Sequence, residues 1–158
     1  MGLISDLTYV HMNASTAIDK IDRRLKAWRR SPGDGRRALR MVDEMASEAL
    51  RLRRNLDQLF TRERRELFPR VTRIFGSDVS ETKQLLKGQD KILTALDRFI
   101  VELGDEETIE MADHQVRLAY LRRLFGEFVN HYQARCDVER AFYETYSTVL
   151  YPGGVATE

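Results

Sequence analysis

His11, Glu63, Gln89 and Arg135 stand in helix seams that are otherwise apolar, one in each of four stretches of the chain. Around His11 the seam reads Ile4, Leu7, His11, Ala14, Ile18, Ile21, Leu25, Trp28, the three-four spacing of one helix face. Around Glu63 it reads Val42, Met45, Ala49, Leu52, Leu56, Leu59, Glu63, Leu67, Val71, Ile74. A carboxylate inside such a stripe must be paired, protonated or bound to a cation, because unpaired burial costs several kcal/mol or more. Gln89 sits among Thr82, Leu85, Ile92, Leu96, Phe99 and Leu103, unless that helix is rotated and the amide faces outward. The residue types therefore imply a buried polar centre of His11, Glu63, Gln89 and Arg135, able to neutralise charge or to ligate a cation.

The last stretch admits two seams. One is Leu121, Leu124, Phe128, His131, Arg135, Val138, Phe142; the other is Leu118, Leu121, Phe125, Phe128, Tyr132, Arg135, Glu139, Phe142, Tyr146. Arg135 belongs to both and is the firmest inward charge, with His131 and Glu139 each one turn away. Cys136 beside Arg135 has two readings, a thiol of lowered pKa or a buried and inert one. His114 and His131 are 17 residues apart on one helix, about 25 Å, too far to share a metal. His114 is expected at the surface.

These side chains must be positioned by helices over about 3–29, 37–75, 79–103 and 106–150, with an extra short helix conceivable over 108–112. SPGDG at Ser31–Gly35 separates the first two, and Pro69 should kink or briefly break the second. Gly76 supplies a stop, Asp78 with Glu81 a capping box, and Gly104 another stop. Short connections make helices pack antiparallel, so the expected fold is all-α, an up-down-up-down four-helix bundle in a single domain over 1–158. Glu63 lies twelve residues before Phe75 and Gln89 eleven after Asp78, which puts them at one height. His11 is offset from Glu63 by roughly 12 Å along the bundle.

Composition narrows the function classes. A chain of 158 residues, 42% hydrophobic and 32% charged, can bury a core beneath heavily charged faces. Net charge is +1, which gives no long-range pull toward nucleic acid or an anionic membrane. The clusters at Arg51–Arg54 and Arg62–Arg65 are interleaved with Glu and Asp and read as solvated helix faces. No apolar run approaches the ~20 residues that span a bilayer. MGLISD departs by one position from a myristoylation pattern. The single Cys136 excludes an intrachain disulfide, and a cytoplasmic location is expected. Phosphate loops, Ser-His-Asp arrangements and zinc-type Cys-His spacings do not occur, so no catalytic residue is assigned and an enzyme is not expected.

RERRELFPRV at Arg62–Val71, following a long amphipathic helix, resembles the end of the second helix of hemerythrin-like (cation-binding HHE) domains. There the pattern is His, three residues, Glu-Glu, two residues, Leu-Phe-Pro. Leu67, Phe68 and Pro69 match, Glu63 matches the first Glu, and Leu59 stands where the His belongs. His11 in YVHMNASTAI resembles the lone His of that family's first helix, and Gln89, three before Ile92, stands where its third helix carries another. EFVNHYQAR resembles the fourth-helix entry through Phe128 and His131, with Arg135 replacing the carboxylate. The resemblance covers essentially the whole chain in helix order and spacing. It implies a bundle that elsewhere holds a non-haem di-iron pair, used for oxygen binding or for sensing oxygen, nitric oxide or iron.

With donors lost at Leu59, Gln89 and Arg135, the resemblance implies a degenerate member without a cofactor. In it Arg135 pairs with Glu63, and the bundle serves as a non-catalytic signalling or protein-interaction module, with a protein partner or a homo-oligomer. The alternative is a reduced metal site of His11, Glu63, His131 and Glu139 holding non-haem iron, with Arg135 turned away. A third reading is a helical adaptor whose polar centre only fixes helix register.

Overall fold

The computed structural model describes residues 3–30, 35–76, 80–105 and 114–145. All are helical apart from short turns, with no strand among the described residues. The helices are α1 (Leu3–Arg30), α2 (Gly35–Arg62), α3 (Phe68–Phe75), α4 (Ser80–Leu103) and α5 (His114–Thr145). A π-helical turn, Glu63–Leu67, joins α2 to α3, so these form one of four helical stretches. Residues 106–113 and 146–158, most of the break expected at Ser31–Gly35 and the cap expected at Asp78 lie outside the described residues, as do the side chains of Ile4, Leu7, His114 and Tyr146.

The stripes explain the packing. In α1, Ala14, Ala17, Ile21, Leu25 and Trp28 are buried, while Ile18 of the expected seam is only half-buried because the face drifts toward Ala17. In α2 and the turn beyond it, each seam residue from Val42 to Val71 is buried. Ile74 departs from expectation: it is 58% exposed, lying in the last turn of α3 where no described helix covers it. All seven α4 seam residues are buried. α4 packs on α5 and α2, and α1 on α2 and α5, so four stretches enclose one core. Salt bridges cross the outer seams, Arg24–Glu44 at 3.2 Å, Lys20–Glu48 at 3.7 Å and Arg53–Asp97 at 3.0 Å.

Pro69 does not break its helix. The Phe68 N–H donates to the Glu63 carbonyl, five residues back, and Pro69 follows as the opening of α3. A proline lacks the N–H that would bond four residues back, and its ring collides with that carbonyl. Widening the preceding turn to π geometry moves the carbonyl aside and lets the helix continue. At the end of α3, Gly76 takes φ +92°, with its N–H on the Thr72 carbonyl at 2.9 Å. Arg117, buried at the start of α5, donates from Nη2 to the carbonyls of Glu102 (3.1 Å) and Leu103 (3.4 Å). It thereby satisfies the C-terminal end of α4.

Candidate functional site

Three helical stretches bring Glu63, Gln89 and Arg135 to one level in the core, each almost wholly buried. The π turn presents Glu63, α4 presents Gln89, and α5 presents Arg135. The Arg135 guanidinium donates from Nη2 to both carboxylate oxygens of Glu63. From Nη1 it donates to the Leu85 carbonyl at 3.0 Å, and its carbon lies 4.6 Å from the centroid of the Phe60 ring. One planar cation thus meets an anion, a peptide carbonyl and an aromatic face, which suits guanidinium better than ammonium.

Gln89 is fixed from both ends. Its Nε2 donates to Glu63 Oε1 at 3.1 Å and to the Phe60 carbonyl at 3.4 Å, and its Oε1 accepts from Arg64 Nη1 at 2.8 Å. The inward orientation expected from the α4 seam is the one present.

His11 does not touch Glu63. Its Nε2 lies 2.5 Å from Glu139 Oε1, and its Nδ1 lies 2.9 Å from the Tyr132 hydroxyl. With Nε2–H donating to the carboxylate, Nδ1 is left to accept the phenolic O–H. Glu139 joins the two halves, since its Oε2 lies 3.5 Å from Arg135 Nε. The offset expected between His11 and Glu63 is thus bridged by a residue one turn beyond Arg135.

Burial and charge pull these groups in opposite directions. Burial pushes the Glu63 carboxyl up to about 7, against the Arg135 charge and the Gln89 hydrogen bond, which lower it. At Glu139 burial also raises the pKa, but the His11 hydrogen bond and charge, then Arg135, outweigh it and hold the carboxyl below its ordinary value. Burial, with the neighbouring Cys136 and Glu139, pushes the Tyr132 phenol up, so it remains a donor. Two carboxylates face one guanidinium and one imidazole. They sum to zero when the imidazole carries a proton, and otherwise one proton on a carboxyl restores balance.

The α5 register decides between the two expected seams. Leu118, Phe125, Tyr132 and Glu139 are buried, whereas His131 is exposed and Val138 half-buried. His131 therefore leaves the centre: the 100° step between successive residues carries it off the face that Tyr132 occupies. The arrangement with Arg135 turned away is likewise not the one present, because Glu63 and the Leu85 carbonyl draw the guanidinium inward. The four residues His11, Glu63, His131 and Glu139 do not converge. Among the described residues no group of three His, Cys, Asp or Glu is placed to hold a metal ion. The lowered thiol pKa considered for Cys136 is corrected too, since burial, reinforced by Glu139, pushes it up.

Sequence reasoning missed Tyr132 as the second partner of His11 and Arg64 as the partner of Gln89. Tyr132 stood in one of the two seams but carried no charge to mark it. Arg64 sat in a run read as a solvated face, and the π turn swings it over Gln89. Glu63 at 0% exposure is sealed from solvent, while the His11 imidazole is 21% exposed, Arg64 reaches Gln89 from an exposed position, and Arg135 lines a cavity between α4 and α5.

Among the described residues no helix is long and apolar enough to cross a membrane. Comparison of the chain with protein-family models, curated proteins and solved structures gives no match.

Proposed function

We propose that this chain is a degenerate hemerythrin-like bundle in which a side-chain cation neutralises the centre, and that it acts as a non-catalytic signalling or protein-interaction module. The observation that carries the reading is Arg135, held between the carboxylates of Glu63 and Glu139. A fixed positive charge there repels a metal cation, and the carboxylate oxygens that would ligate one already accept from Arg135 and Gln89. These residues do not fit an iron pair. The up-down-up-down path is supported by descending registers: Lys20 with Glu48 and Arg24 with Glu44, then Glu63 with Gln89 and Arg53 with Asp97. Leu85 with Arg135 and Leu103 with Arg117 continue the pattern. The Glu63 oxygens are committed to Arg135 and Gln89, which leaves the outer helix faces for recognition.

Metal analysis of protein purified without chelator tests this reading. The expected result is iron far below one atom per chain and no oxo-bridge absorption band. Two irons per chain, lost in His11→Ala and Glu63→Ala, would replace it with the metal-sensing alternative.

A further inference from the structure

Between α4 and α5 lies a cavity of about 260 Å³. Lys87 and Lys91 flank it from α4, one turn apart, and His131 and Arg135 from α5. Among the described residues lining it there is no carboxylate. Two ammonium groups at that helical spacing repel each other, and both are exposed. Gly88 stands between them in the sequence and also lines the cavity; a Cβ there would meet nothing within 4 Å, so the wall has room at that position. Leu85 and Val138 give the recess an apolar side.

We propose that this cavity binds a small phosphate monoester, its phosphate on Lys87, Lys91 and His131 at the mouth and its compact apolar group against Leu85 and Val138. A phosphate monoester is close to a dianion at neutral pH and accepts from several donors at once, which matches two ammonium groups and an imidazole. The Arg135 guanidinium behind the wall is already taken up by Glu63 and the Leu85 carbonyl, so the polar groups left for an occupant are those of Lys87, Lys91 and His131. The inference goes beyond the functional reading above and does not depend on it.

Phenyl phosphate serves as the probe in an amide NMR titration of the full chain. Saturable shifts are expected at Gly88 and Ala134. K87Q/K91Q is expected to weaken binding about tenfold or more, while K20Q/K26Q, which removes equal charge elsewhere, leaves it unchanged. G88L fills the recess and is expected to abolish binding while the spectrum stays folded. No saturable shift at these amides up to the probe's solubility limit would overturn the proposal. So would equal binding by K87Q/K91Q, or by the uncharged benzyl alcohol. Benzoate, a monoanion on the same ring, is expected to bind more weakly; equal affinity would remove the assignment to phosphate.

Discussion

At Arg135 a single side chain holds together groups that would otherwise be costly to bury. Removing it leaves Glu63 and Glu139 inside the core with no guanidinium between them. Arg135→Met is therefore expected to destabilise the chain by ~3–5 kcal/mol in urea unfolding, the penalty typical of one orphaned partner in a buried pair. Adding Glu63→Leu should recover a large part of that loss, because replacing both partners by apolar groups is often near neutral. A double variant no more stable than Arg135→Met would mean the pair is not what Glu63 answers to. Glu63 and Arg135 were legible because charges in an apolar stripe have few ways to be satisfied. The role of Glu139 was ambiguous, since Phe128, Arg135 and Phe142 fit both faces of α5. The deciding contact was tertiary: His11 needs Glu139 and Tyr132, and that turns His131 outward.

Along the elements, what could be read from the chain depended on how unusual the local backbone is. The α4 seam was legible from seven residues at three-four spacing, but the side Gln89 takes was open until its contacts with Glu63 and the Phe60 carbonyl turned it inward. The π turn was not, because nothing in ERREL distinguishes a wide turn from a break before Pro69. Two glycines make a test of backbone against side-chain space. At Gly76 and at Gly88 an added Cβ meets nothing within 4 Å, so crowding does not separate them. Gly76, however, combines φ 92° with ψ 174°, a region left almost entirely to glycine, whereas Gly88 is inside α4. Gly76→Ala is expected to cost ~1–3 kcal/mol. Gly88→Ala should instead stabilise by roughly 0.5–1 kcal/mol through helix propensity. Thermal unfolding of the two variants checks the opposite signs.

For the molecule as a whole, the two buried carboxyls give stability opposite pH dependences. Glu63, raised from 4.5 to about 7, binds its proton more tightly when folded. Its contribution is complete below pH 4.5 and lost as pH rises toward 7, at most on the order of 3 kcal/mol. Glu139, lowered on folding, contributes above the ordinary carboxyl range, and that part is lost as pH falls. Wild type is therefore expected to lose stability relative to Glu63→Gln between pH 5 and pH 7, measured as the difference in urea midpoints. A flat difference over that range would mean that Arg135 keeps Glu63 ionised throughout. The +1 net charge leaves little global repulsion to obscure these local effects.

A guanidinium carried by the chain itself has a further consequence for how such a protein matures. It cannot be chelated away, outcompeted by a rival ion or shifted in oxidation state. The positive charge that answers Glu63 is therefore part of the chain from the moment it is translated.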